Sequence, residues 1–291
     1  MFRDVLLPRA RWTTFLVAAV SCVVAGAAST GTADAPPIHE TLREFQPTSK
    51  YEFLQDPKPD GAPAVYFSVR AATYLVRMTS LGVPVLIRTG GREVETVAEE
   101  ALVDRSDGGF DVRADAKVTS LGTASLVGQE FVVDVQGLKG KLSPTPPMLG
   151  WQKGERILTA VPEYARDAKK YAINEDVITA LKATKSKVRI FVYFGTWCPT
   201  CSTVMGRVLR LEQELLKGMP APKEGECPTF QFDYYGARPE PDTWNEPELK
   251  SHNIDVLPTG LVFIDGQDRG RILSFDWSRP ETALRRVLDA K

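Results

Sequence analysis

Two thiols three residues apart are the part of this sequence best suited to chemistry. They lie in Gly195-Thr196-Trp197-Cys198-Pro199-Thr200-Cys201. Placed where a strand hands over to a helix, Cys198 would face the unpaired backbone N–H groups and the positive end of the helix dipole. A thiolate is stabilised there, so Cys198 is expected below the free thiol value of about 8.5 and nucleophilic near neutral pH. Cys201 would sit one turn inward, within reach to close a disulfide. Pro199 suits a first helical position, where its missing N–H costs nothing. A structural disulfide clip and half of a zinc site are the other readings of the pair. Zinc needs four ligands, and the chain has four cysteines and two histidines in all, with no second cysteine pair.

The surrounding pattern supplies the elements such a pair requires. Val188 to Phe194 is a nearly continuous apolar run, interrupted by Arg189, as expected of a central strand. After the cysteines, Val204, Val208, Leu211 and Leu215 form one apolar stripe of a helix. Phe230, Phe232 and Tyr234 alternate on a second strand, Leu261 to Ile264 form a third, and Arg271 to Ser274 a fourth. Tyr164 to Lys185 reads as a helix, and Ser278-Arg279-Pro280-Glu281 as a capping box opening a last helix that packs Leu284, Val287 and Leu288 inward. Alternating strands and helices predict an α/β domain over residues 148–291, with a helical extension at its start.

Trp197-Cys198-Pro199-Thr200-Cys201 and the later Leu257-Pro258-Thr259, with these elements between them, resemble the thioredoxin superfamily over about residues 165–291. The resemblance implies a thioredoxin-like α/β fold, a cis proline at Pro258 facing the thiols, and protein-disulfide oxidoreductase activity. It implies Cys198 as nucleophile and Cys201 as resolving thiol, with Trp197, Pro199, Thr200, Leu257, Pro258 and Thr259 in support. No cofactor or metal is called for. The partners implied are protein thiols and disulfides and an electron donor or acceptor. Three departures stand out. Val192 occupies the place of the family's buried acid, Gly206 that of a kinking proline, and the Pro-Thr spacer carries no histidine, which favours a reductase over an oxidase. The rival reading is a partner-binding scaffold that keeps the fold, with Cys198 and Cys201 in a structural disulfide. A third, metal delivery through the pair, has few His and Met residues to support it.

The first 35 residues read as an export signal or membrane anchor. Arg3, Arg9 and Arg11 precede an uncharged run from Trp12 to Ala33, and Ala25-Gly26-Ala27 offers a cleavage site. Left uncut, residues 12–33 are long enough to tether the chain to a bilayer. Cys22, in Ala19-Val20-Ser21-Cys22, is either a filler of that run or a lipidation site. The protein is thus expected outside the cytoplasm, in a periplasmic or similar compartment. Residues 36–62, rich in proline and polar residues, read as a linker. Residues 63–147 alternate in short β-like runs punctuated by glycines, predicting a small all-β sandwich or barrel with no catalytic group, since residues 65–142 hold no Cys or His. Cys227 reads as a lone buried thiol or a third redox cysteine, His252 as a surface residue, and Lys169 and Lys170 as a solvated face. The net charge of −1, from 36 basic and 37 acidic residues, excludes a nucleic-acid binder that relies on a surplus of cations. The charged fraction of 25% and hydrophobic fraction of 43% exclude wholesale disorder.

Overall fold

A computed structural model describes residues 38–219 and 228–290. The signal segment with Cys22, and Cys227, lie outside the described residues. Among the described residues no helix is long and apolar enough to cross a membrane.

The first half is all β. Its strands are β1 (Gln46–Pro47), β2 (Tyr51–Gln55), β3 (Ala64–Ser68), β4 (Thr73–Arg77), β5 (Val85–Arg88), β6 (Glu93–Thr96), β7 (Leu102–Asp104), β8 (Phe110–Val112), β9 (Thr119–Thr123), β10 (Ser125–Val127), β11 (Glu130–Val135) and β12 (Leu138–Pro144). A six-stranded sheet ordered β1-β3-β4-β5-β6-β9 faces a four-stranded sheet ordered β10-β11-β12-β2. Tyr74, Val76, Val85 and Ile87 from the first meet Phe53, Phe131, Val133 and Leu142 from the second. The alternation seen in the sequence has a second use. Leu75 and Leu86, on the opposite face of β4 and β5, are also fully buried, under Phe110 and Val112 of the β7–β8 ribbon.

That ribbon brings the first correction. The segment 36–62 is not a linker, because Leu42 and Phe45 are fully buried beside Leu75 and Leu86, and β2 pairs with β12 from Tyr51↔Pro144 to Gln55↔Gly140. Its polar composition hides two apolar anchors, whose burial outweighs the lack of a long apolar run.

The second half is α/β. It comprises β13 (Gly150–Gln152), α1 (Gly154–Ala160), α2 (Pro162–Lys170), α3 (Glu175–Lys182), β14 (Val188–Phe194), α4 (Pro199–Leu216), β15 (Phe230–Gly236), α5 (Pro247–Ser251), β16 (Thr259–Ile264), β17 (Gln267–Leu273) and α6 (Pro280–Asp289). The sheet order is β13-β15-β14-β16-β17; β14 and β15 run parallel, and the other pairs are antiparallel. Even-numbered residues of β14 and β15 face α4, as the bond from Tyr234 OH to Glu212 Oε2 (2.8 Å) shows. Val204, Val208, Leu211 and Leu215 are all buried in this core.

Two local expectations fail. The helix read over Tyr164 to Lys185 is two helices, α2 and α3, because Asn174 Oδ1 accepts from the N–H groups of Asp176 and Val177 and starts a new helix there. Ser278 does not cap α6. Its N-cap is Arg279, without a side-chain cap, and Glu281 is diverted from the capping role. Glu281 is instead 3% exposed and accepts from Tyr171 OH at 2.8 Å and Asn174 N at 3.4 Å, tying the α2–α3 joint to α6. Glu281→Ala should therefore lower stability by about 1–3 kcal/mol, read by chemical denaturation, since it strips the acceptor from the half-buried Tyr171 hydroxyl. Glu281→Gln, which keeps an acceptor, should lose less.

The two halves are joined by hydrogen bonds. Glu163 of α2 accepts from Thr48 Oγ1, Ser49 N and Ser49 Oγ, each at 2.9 Å.

Candidate active site

The C-terminal end of β14 delivers the two thiols. Strand pairing with β15 and β16 holds Val188 to Phe194 on both sides, and the chain then turns through Gly195 into α4. Cys198 is the N-cap of α4 and Pro199 its first residue. Cys201 N donates to Cys198 Sγ at 3.4 Å, so the sulfur takes the place of the usual oxygen cap. The Cys198 thiol points to Leu257 O at 3.7 Å, and Gly195 N donates to Cys201 Sγ at 3.5 Å. Both are free thiols.

Their environments differ. Cys198 is 7% exposed and Cys201 is fully buried. The Cys201 side chain beside it, with the backbone N–H groups of Cys201 and Thr200, lowers Cys198 to about 6, against burial and the Glu240 charge, which push the other way. Burial drives Cys201 strongly upward, and the adjacent Cys198 adds to this. One thiol is poised to ionise and its neighbour to stay protonated.

The remaining sequence-derived residues fall around the pair in different ways. The Leu257–Pro258 peptide is cis, both residues are buried, and the Leu257 carbonyl is the group that meets Cys198. Thr259 is 1% exposed, begins β16 opposite Tyr193, and donates from Oγ1 to Val256 O at 2.7 Å, so it fixes the turn rather than facing the thiols. Trp197 folds back over the loop. Its Nε1 donates to Ala237 O at 3.0 Å, and a Cβ at Gly195 would stand 2.7 Å from the indole. Pro199 is exposed, and Thr200 is half-buried with its carbonyl accepting from Thr203 Oγ1. His252 is half-buried, its ring 5.9 Å from that of Tyr193 and its Nε2 3.5 Å from Glu248 Oε1. Lys169 and Lys170 are exposed.

Tyr164 was not legible as a site residue. It is 2% exposed on α2, in the same core as Cys198 and Cys201, and its hydroxyl has no hydrogen-bond partner among the described residues. Its phenol is kept firmly protonated, first by burial and then by the charges that Cys201 and Cys198 would carry. No signal in the sequence links it to thiols so far downstream.

No protein-family model matches the chain, and no curated protein is similar to it. Among solved structures, a protein of unknown function from Pseudomonas aeruginosa is similar at 13% identity and TM-score 0.32, over 44% of this chain and 80% of that one. An HIV epitope-scaffold is similar at 16% identity and TM-score 0.31, over 44% and 81%. Thioredoxin from Fasciola hepatica is similar at 19% identity and TM-score 0.25, over 40% and 90%. The geometry is that of an all-β region followed by an α/β region, with a close cysteine pair at a strand–helix junction.

Proposed function

We propose that the protein is a thioredoxin-like protein-disulfide oxidoreductase, working as a reductase outside the cytoplasm. The observation that carries this reading is the asymmetry of the two thiols at the start of α4. Cys198 thiolate attacks one sulfur of a substrate disulfide. A Cys198–substrate bond forms, the substrate S–S bond breaks, and the released thiolate takes up a proton. Cys201 then gives up its proton and attacks Cys198 Sγ. The internal disulfide forms and the second substrate thiolate departs. The substrate gains two electrons, the protein dithiol loses them, and a separate thiol donor must restore the pair. The two thiols need no cofactor for either step.

The cis Leu257–Pro258 backbone beside Cys198 suits an extended substrate segment, held by strand-like pairing. The apolar leader is the basis for the extracytoplasmic location, by export or by a retained tether. The test is a trap. With insulin, its disulfides intact, as substrate, the reduced Cys201→Ser variant should accumulate a mixed disulfide visible on a non-reducing gel, whereas the wild-type protein should not. Absence of the adduct, with a Cys198 thiol whose alkylation midpoint lies at the free value of about 8.5, would overturn the reading in favour of a scaffold.

A further inference from the structure

The α/β sheet has two faces, and they are covered unequally. The face presented by Ile190, Val192, Phe232 and Tyr234 packs on α4. On the other face, the upper row of Tyr193 and Tyr235 is roofed by the segment carrying Glu246 and Glu248. These carboxylates accept from Tyr235 OH at 2.8 Å and Tyr193 OH at 3.1 Å. Below that row, Trp151 lies against Phe191, and Lys153 and Arg189 lie against Asp233.

A cleft of about 580 Å³ opens there, lined by Trp151, Phe191, Lys153, Arg156, Arg189 and Asp233. Its size lies in the range of small-molecule sites. Its apolar wall is aromatic. Trp151, 48% exposed, meets Phe191 edge-on with ring centroids 5.6 Å apart, and Arg189 lies over the Phe191 ring at 4.4 Å. Its charge is one-sided. Asp233 is already shared between Lys153 (2.9 Å) and Arg189 (3.0 Å), while the exposed Arg156 makes no ion pair among the described residues. Three cations thus face one satisfied carboxylate. Gln152, which also lines the cleft, is 9% exposed. It spends Nε2 on Leu149 O and leaves Oε1 with no hydrogen-bond partner among the described residues.

We infer that this cleft is a second binding site, separate from the thiols, for a small planar aromatic anion. The ring would lie against Trp151 and Phe191, and the carboxylate or sulfonate would meet Arg156 and the uncompensated positive field of Lys153 and Arg189. An aromatic wall rewards a flat apolar body, and a guanidinium rewards an anion more than any neutral group of the same shape. A purely apolar ligand would leave the charge surplus unused, and a cationic one would oppose it.

The test uses 1-anilinonaphthalene-8-sulfonate as the aromatic anion and N-phenyl-1-naphthylamine as its uncharged counterpart, titrated into the folded full-length protein by fluorescence. One saturable site is expected, binding the anion about tenfold more tightly than the neutral probe. Arg156→Glu, at an exposed position, should weaken the anion about tenfold and leave the neutral probe unchanged. Trp151→Leu should weaken both. Equal affinity for the two probes, or anion binding unmoved by Arg156→Glu, would overturn the assignment.

Discussion

Cys198→Ser should abolish thiol–disulfide exchange, and in the wild-type protein iodoacetamide labelling of Cys198, followed on its own peptide, should show a midpoint near pH 6. A hydroxyl at the α4 N-cap still accepts the Cys201 N–H, so the serine variant keeps its fold but has no ionisable nucleophile near neutral pH. With Cys198 near 6, about nine tenths of it is thiolate at pH 7, against about 3% for a free thiol near 8.5. Speed alone is a poor test, because a less basic thiolate is also a weaker nucleophile and much of the gain cancels. The midpoint is the diagnostic quantity. The lowered value bears on the first step, since in the second Cys198 is the sulfur attacked and the substrate thiolate is the group that leaves.

The same shift ties stability to pH. Folded Cys198 is charged from about pH 6 upward, whereas an unfolded thiol charges only near 8.5. Its contribution to the reduced fold is therefore complete above about 8.5 and is lost as pH falls through about 6. Cys201, pushed upward by burial, has the opposite sign. Its contribution holds below about 8.5 and falls as pH rises beyond it. Denaturation of the reduced protein at pH 5 and pH 8, beside Cys198→Ser, reads this directly. The gap between the two proteins should favour the wild type at pH 8 and close at pH 5. A gap that does not change with pH, or labelling with a midpoint near 8.5, would refute the lowered Cys198.

How much of this was legible depended on how local the cause was. Val188 to Phe194 is strand β14 with the bounds read from its apolar run, because all its residues but Arg189 and Phe191 are buried and the pattern needs no knowledge of distant partners. The stripe of α4 was legible for the same reason. Residues 36–62 were misread because their role comes from contacts far away: Phe45 bridges to Phe110, and Tyr51 pairs with Pro144. Glu281 was read as a capping partner from a local motif, yet a phenol 110 residues distant in sequence claims its carboxylate. At the site, the two cysteines were visible from residue type and spacing, and the Leu257–Pro258 turn from the resemblance to the thioredoxin superfamily. Tyr164 and the Trp151–Arg156–Arg189 cleft were not, since each is assembled by tertiary packing from residues that carry no motif.

Gly206 gives the sharpest case of a residue whose meaning changed with the fold, and it carries the second large expected effect. In the sequence it stands five residues beyond Cys201, where the resemblance to the thioredoxin superfamily implies a bend. In the structure α4 runs unbroken from Pro199 to Leu216, and Gly206 marks where α2 crosses it. A Cβ there would lie 2.6 Å from Asp167 Cβ, 2.8 Å from Tyr164 O and 3.0 Å from Ala168 N. Two of these three atoms are backbone, so no rotamer change relieves the contact. At an open helical position, glycine to alanine would stabilise by about 1 kcal/mol. Here the crossing must widen instead, and overpacking costs about 1–3 kcal/mol for a single added group. Gly206→Val adds two methyl groups more, and should lower stability by about 3 kcal/mol, or about 6–12 °C in Tm for a chain of this size. Because α2 also bears Tyr164 and Glu163, the loss should spread to the joint with the β region, weakening the bonds of Thr48 and Ser49 to Glu163. Calorimetry of Gly206→Ala and Gly206→Val decides it. A rise in Tm for the alanine variant would mean that the helices do not meet at backbone distance.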